Sequence, residues 1–362
     1  MFDCIIVGAG PAGGAAAYHL AKRGHSVLVI EKDAWPRQKP CGGGVSPAIA
    51  QWFDFDFTPA ISTTVEKIRY TFKMGDPVET EIVKPMWMVR RDIFDQYLMQ
   101  QAIDQGAQLQ TQTSVTGIKF NSDRWQVNTN QGPQEAKYLI AADGAKGPMA
   151  QWLGLKQSKL RQSMVAEFPV AGQLPSFEFG MVKNGSIWGF PKADSYSVSI
   201  ATFRGGEPKD LSKELMQYAN KMGFGASSSI AEHPLCLWDG DKTLHTQNAL
   251  LAGDAASLSD PLSGEGIRPS ILSGVKAAEA IDQALGGASN ALENYTKVMQ
   301  QQWGADMVWA GNLAGLFYRF PGIGYKVGVK VPVATQLMSK ILCGELRYAD
   351  VIDKAKKSLS PF

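Results

Sequence analysis

The sequence predicts an α/β chain, α+β overall, in which a dinucleotide-binding domain made of separated pieces is interrupted by an antiparallel sheet and finished by a helical tail. Three observations predict it. A strand, a glycine turn, a small-residue helix and a second strand follow one another over residues 3–31. Between residues 163 and 203, short β-rich segments alternate with turn residues. Far downstream a strand at 249–251 runs into Gly253 and Asp254, and the chain after Ile267 is mostly helical.

Residues 3–7 read as a hydrophobic strand, 8–13 as the turn, 15–23 as a helix stopped by Gly24, and 26–31 as the second strand. A loop rich in Pro and Gly, 35–47, precedes two short strands at 68–73 and 79–83. Asp92 is the expected N-cap of a helix whose Phe94, Tyr97, Leu98 and Ala102 keep the helical period. Strands are expected at 115–120, 125–129 and 138–142, the last entering a turn at Asp143 and Gly144. The antiparallel sheet should hold 164–170, 177–182, 186–190 and 197–203, closed by a helix at 211–222. These elements divide the chain into a dinucleotide-binding domain (1–60, 85–150 and 245–300), a sheet domain (61–84 and 151–244) and a helical region (301–362).

A chain of 362 residues has room for about two domains of roughly 150 residues each. Its 36 basic and 34 acidic side chains nearly cancel, which argues against a polyanion-binding surface and so against nucleic acid as a partner. Cys4, Cys41, Cys236 and Cys343 are scattered without ligand spacing, so no structural metal and a reducing compartment are expected. A strand that begins at Phe2 suggests no leader, so a cytoplasmic location, with or without a peripheral position on a membrane, is expected. The stretch 307–342 is apolar and aromatic, but Arg319, Pro321, Lys326, Lys330 and Pro332 interrupt it. It suits packed helices, or else a peripheral contact of this C-terminal region with a membrane, better than a span.

In DCIIVGAGPAGG, Gly8 permits a tight turn, Gly10 lets a pyrophosphate approach the backbone, and Gly13 lets helix and strand touch. Pro11 and Ala12 open the helix whose N-terminal N–H groups and partial positive charge face the phosphates. Glu31, with Lys32 beside it, ends the second strand where a carboxylate accepts hydrogen bonds from a ribose diol. This fingerprint serves FAD and NAD alike.

Later segments separate the two. ALLAGDAASLSDPLSGEGI resembles the second FAD fingerprint of glutathione-reductase-type flavoproteins, whose aspartate holds the ribityl chain and whose following loop lies beside the isoalloxazine. The resemblance implies FAD contacts from Gly253, Asp254, Gly264, Glu265, Gly266 and Ile267; the plain alternative for Asp254 is a helix N-cap. VRRDIFDQYLMQQA resembles the Arg-x-x-Phe-Asp helix start of flavin hydroxylases, which implies that Arg91 approaches the cofactor, with Arg90 as the competing candidate. Val115 joins the implied cofactor set. The Asp143–Gly144 pair also resembles a hydroxylase motif, but Met149 stands where an arginine is expected, and the pair reads as structural.

KPCGGGVSP resembles the loop of the geranylgeranyl reductase family in which a cysteine lies near flavin and substrate, making Cys41 the catalytic candidate and Cys41 and Gly42 cofactor contacts. Trp188, Phe190 and Pro191 in GSIWGFPKAD match the W-x-F-P end of that family's substrate motif, and CGELRYADVI resembles its closing segment. The resemblance covers most of the chain. It implies a Rossmann-like FAD-binding domain of the flavin-hydroxylase type, an antiparallel substrate sheet, and reduction of carbon–carbon double bonds in a prenyl chain or prenyl lipid by hydride from reduced flavin N5.

The chain departs from the family at Lys183 and Ser186, where Pro and Tyr are usual, so Ser186 would leave space and a hydroxyl in a substrate wall shared with Trp188 and Phe190. On a strand, Trp188 and Phe190 share one face; filling the core is the plain alternative. With one dinucleotide fingerprint, NADPH or a ferredoxin-like donor would visit transiently. Cys41 is weighed equally as a proton donor and as a loop-positioning residue. The rival readings are a flavin monooxygenase or halogenase, and a catalytically idle prenyl-lipid-binding flavoprotein. The halogenase W-x-W-x-I-P motif is not met at Ser186 and Phe190, and Gly8 and Asp254 are intact, which disfavours an idle protein.

Overall fold

The computed structural model describes residues 1–205 and 210–351. Strands Phe2–Val7, Val27–Ile30, Gln108–Gln110, Gly132–Ala141 and Ala249–Leu251 run parallel in one sheet, with Phe2–Val7 between Val27–Ile30 and Gly132–Ala141. The central strands CIIV, VLVI and ALL are continuous apolar runs and are fully buried, as parallel strands covered on both faces require. Helix Pro11–Lys22 packs against both Arg91–Asp104 and Ile267–Leu285. An antiparallel hairpin, Val115–Asn121 with Arg124–Thr129, attaches to Gly132–Ala141. Residues from three distant parts of the chain therefore meet in one sheet.

The second sheet runs in the order Ser229–Glu232, Ser163–Phe168, Tyr196–Thr202, Gly185–Pro191, Ser176–Phe179, Thr63–Phe72, Gly75–Met88, Gly44–Val45. All pairings are antiparallel except Ser176–Phe179 with Thr63–Phe72. Alternation along Gly185–Pro191 sends Ile187 to one face, where it packs with Val198 and Ile200 against Leu211 and Leu215 of helix Leu211–Lys221. Trp188 and Phe190 point to the other face. After the last parallel strand and its helix come Ala291–Met299, a π-turn at Gln300–Gly304, Ala305–Arg319, Pro321–Gly328 and Pro332–Leu342.

Several expectations change. The short strands at 68–73 and 79–83 are the middle of one long bulged hairpin that reaches Met88, past the expected limit of 84. Gly44–Val45 pairs with Met88 and Trp87 and so belongs to the second sheet, although 1–60 was assigned to the first. Asp92 is not the N-cap, which is Arg90: it lies in the first turn of the helix that starts at Arg91, and its carboxylate accepts from the Arg90 guanidinium. The end of the expected helical region and of its closing segment, residues 352–362, lies outside the described residues.

Candidate active site

A cavity of about 560 Å³ is lined by residues of both sheets. The glycine turn forms one end. Gly8 takes a φ of +103°, and a side chain on it would meet the carbonyl of Ala142. Gly8, Gly10, Pro11 and Ala12 line the cavity, whereas Gly13 sits behind it, where a side chain would strike the Gly8 carbonyl. Gly13 therefore serves the contact between strand and helix and does not form part of the wall. The helix begins at Gly10 without a side-chain cap, which leaves its first N–H groups for a ligand in the cavity.

Glu31 is held by backbone donors: its Oε2 accepts from Ala9 N at 2.9 Å and its Oε1 from Asp33 N at 3.0 Å. Arg37 Nε lies 3.4 Å from Glu31 Oε2, and Arg37 Nη2 donates to Asp95 Oδ2 at 2.7 Å. Asp95 in turn takes a bidentate pair from Arg91, at 2.7 and 2.8 Å. All four side chains are at most 9 % exposed, so the chain Glu31–Arg37–Asp95–Arg91 keeps every buried charge partnered. Arg91 lines the cavity. Arg90, the competing candidate, points outward to Asp92 and Asp194. Sequence reasoning missed Arg37 and Asp95. Asp95 was findable as the i+4 partner of Arg91, while Arg37, in an irregular loop, carried no periodic signal.

Asp254 is buried on the cavity wall, where desolvation pushes its carboxyl up and the charges of Lys39 and Arg91 pull it down. The turn Gly253–Ala256 has no side-chain cap, so the N-cap reading of Asp254 fails. Lys32, Val115 and Gly253 line the cavity, as do Gly264, Glu265, Gly266 and Ile267. The Glu265 carboxylate accepts from Arg268 N at 2.7 Å and so caps the helix Ile267–Leu285. Asp143 and Gly144, read from sequence as structural, are also on the wall. Asp143 Oδ2 accepts from Met149 N at 2.9 Å, its Oδ1 is buried without a partner, and burial pushes the carboxyl up to about 6. His233, also on the wall, is pushed down to about 3 by burial and then by the charges of Lys39, Arg91 and Lys146.

Cys41 and Gly42 line the cavity, with Cys41 half-buried and interacting with Arg91. The buried Lys192 amine donates to the Gly42 carbonyl and is pushed down to about 8 by desolvation. Ile68, Met86, Met88, Phe177, Trp188 and Phe190 also line the cavity and belong to two adjoining apolar clusters. Ser186, expected beside the last two, is 2 % exposed and is not on the wall. Its hydroxyl meets that of Tyr318, whose ring stacks on Phe203 at 4.7 Å. The helix Ala305–Arg319 thus supplies a ring to the place where the sequence suggested open space.

The donor set fits a flavin dinucleotide. Asp143 Oδ1 and Arg37 Nε are buried and make no hydrogen bond, the helix N-terminus is uncapped, and the cavity has the size of a cofactor site. The family described as FAD binding domain matches residues 1–183. An uncharacterized protein of Methanosarcina barkeri is 32% identical over 295 residues, 78% of this chain and 75% of its own length. A digeranylgeranylglycerophospholipid reductase of Methanocaldococcus jannaschii is 28% identical over 330 residues, 84% of this chain and 82% of its own. In fold, a geranylgeranyl bacteriochlorophyll reductase-like protein from Thermoplasma acidophilum is similar, with a TM-score of 0.79, 22% identity, and coverage of 94% of this chain and 91% of that one. The chain belongs to the FAD-binding domain family.

Proposed function

We propose that this FAD-dependent oxidoreductase reduces carbon–carbon double bonds in a geranylgeranyl-like prenyl chain or prenyl lipid. The observation that carries the reading is the composition of the cavity: besides its charged residues it is lined by a contiguous apolar group, Ile68, Met86, Met88, Phe177, Trp188 and Phe190. Such a group recognises a hydrocarbon chain by area and excludes water from it. The names of the archaeal relatives support the same class of substrate.

When bound, reduced FAD supplies a hydride from N5 to one alkene carbon, while a proton completes the other and two electrons leave the flavin. The chain's own residues do the rest. Glu31 and the uncapped helix after Gly10 would bind the nucleotide portion, and Asp254 and Arg91 would hold the cofactor's middle. Trp188 and Phe190 orient the prenyl chain, and the Cys41 Sγ–H stands on the wall as the proton source or as the residue that positions its loop. NADPH or a ferredoxin-like protein is the transient reductant.

The test is anaerobic. The FAD-loaded protein, reduced chemically, is mixed with a geranylgeranyl phospholipid, and flavin absorbance and lipid mass are followed. The expected result is substrate-driven reoxidation with a gain of two hydrogens per reaction. Retention of unaltered lipid, or reoxidation only with oxygen and hydroxylation or halogenation of an aromatic compound, overturns the proposal.

A further inference from the structure

We propose that the helices Ala305–Arg319, Pro321–Gly328 and Pro332–Leu342 form a docking face for an anionic lipid bilayer. Among the described residues fifteen large apolar side chains stand exposed, and eight of them fall between Val308 and Val333. Leu316, Ile323, Val327 and Val333 are each 63–65 % exposed. They are not loose core residues, because the same helices bury other side chains on their inner sides, Tyr318, Tyr325 and Ile341 among them. The outer sides are left with apolar area that water does not favour.

Charge selects the occupant. From Met307 to Gly344 the sequence has no Asp or Glu, but it has Arg319, Lys326, Lys330 and Lys340. Arg319 and Lys326 are exposed and take part in no ion pair among the described residues, while Lys330 pairs with Asp76. Exposed apolar side chains mixed with unneutralised bases complement a negatively charged headgroup layer with hydrocarbon beneath it. A protein partner would need both an apolar surface and acidic side chains of matching spacing, whereas a bilayer supplies both features over any area.

The geometry is that of lying on the surface. No helix among the described residues is long and apolar enough to cross a membrane, and Pro321 and Pro332 start two of the three helices, breaking the apolar stretch into short pieces. The inner sides reach the cavity: Tyr325 and Val329 pack with Ile68, Met86 and Met88, and Leu342 itself lines the wall. Resting on the prenyl-lipid reading, this face sets the apolar wall of the cavity next to the bilayer that holds the substrate.

The experiment is co-sedimentation of the full FAD-loaded chain with phosphatidylcholine vesicles, with and without phosphatidylglycerol. The protein is expected to partition onto the anionic vesicles and to come off as salt rises. Arg319→Gln and Lys326→Gln should each weaken partitioning about fivefold. Ile323→Asp with Val327→Asp should abolish it while bound FAD and thermal midpoint stay as in the parent, since both positions are exposed. Absence of the parent from the anionic pellet, or equal partitioning of the double aspartate variant, overturns the proposal. So does a dimeric parent that the double aspartate variant converts to a monomer, because a second copy would then cover the face. Partitioning is read without turnover, so a chain that docks but reduces no prenyl double bond upholds the docking face and removes the functional reading.

Discussion

Around the cavity, Glu31, Arg37 and Arg91 are tied through Asp95 into an unbroken series of buried ion pairs, whereas Ile68, Met86, Met88, Phe177, Trp188 and Phe190, which also line it, carry no charge. The two groups are held by forces of different kinds. In the first, each group has one acceptable position, because moving it strands a charge in a low-dielectric interior. In the second, contact depends on area and is nearly indifferent to direction, and the methionines adapt to the shape set against them. On the proposed function, the charged group would fix where the cofactor lies and the apolar group would set which hydrocarbon fits.

That contrast is breakable at three points. The largest effect belongs to Asp95→Asn, which keeps the shape but leaves Arg37 and Arg91 without their shared anion. Denaturant titration should record a loss of about 3–5 kcal/mol. A cost below about 1 kcal/mol would mean that the ion pairs do not hold this group. Next comes Glu31→Ala, which deletes a carboxylate positioned by Ala9 N and Asp33 N. FAD affinity, read by fluorescence titration, should fall about ten- to a hundredfold, the worth of a charge-assisted hydrogen bond of about 1.5–3 kcal/mol. Unchanged affinity would remove Glu31 from the cofactor site. The smallest effect is expected in the apolar group. Trp188→Phe should cost less than about 1.5 kcal/mol and leave FAD bound, yet shift the preferred prenyl chain length. Identical kinetics across a series of chain lengths would assign Trp188 to the core alone.

How much of this was legible in the sequence follows from the range of each interaction. The turn at Gly8, the acid at Glu31 and the pair Gly253–Asp254 announce themselves locally, because strand, turn and helix must succeed one another within a few residues. The shared face of Trp188 and Phe190 was likewise legible from the period of a strand. What stayed hidden depends on partners far away in the chain. Arg37 meets Asp95 across 58 positions, and Ser186 meets a ring on a helix more than a hundred residues downstream. The hairpin Thr63–Phe72 with Gly75–Met88 was underestimated because many of its outward residues are charged, so that only fragments of each strand looked apolar. Even the choice between Arg90 and Arg91 turned on helix phase, which one residue of uncertainty in the starting point reverses.

The loop after Cys41 and the strand Gly185–Pro191 are in contact without slack: a side chain on Gly42 would come within 2.9 Å of the Phe190 ring and 3.0 Å of Trp188 Nε1, and one on Gly44 within 2.9 Å of Phe190. Two segments about 150 positions apart in the chain therefore share a single volume. In a set of related sequences, enlargement at either glycine should be accompanied by shrinkage of the facing aromatic. On the prenyl-chain reading, the length accommodated would be inherited through this pair of segments, and grafting one without the other into a relative should transfer neither the fit nor the specificity.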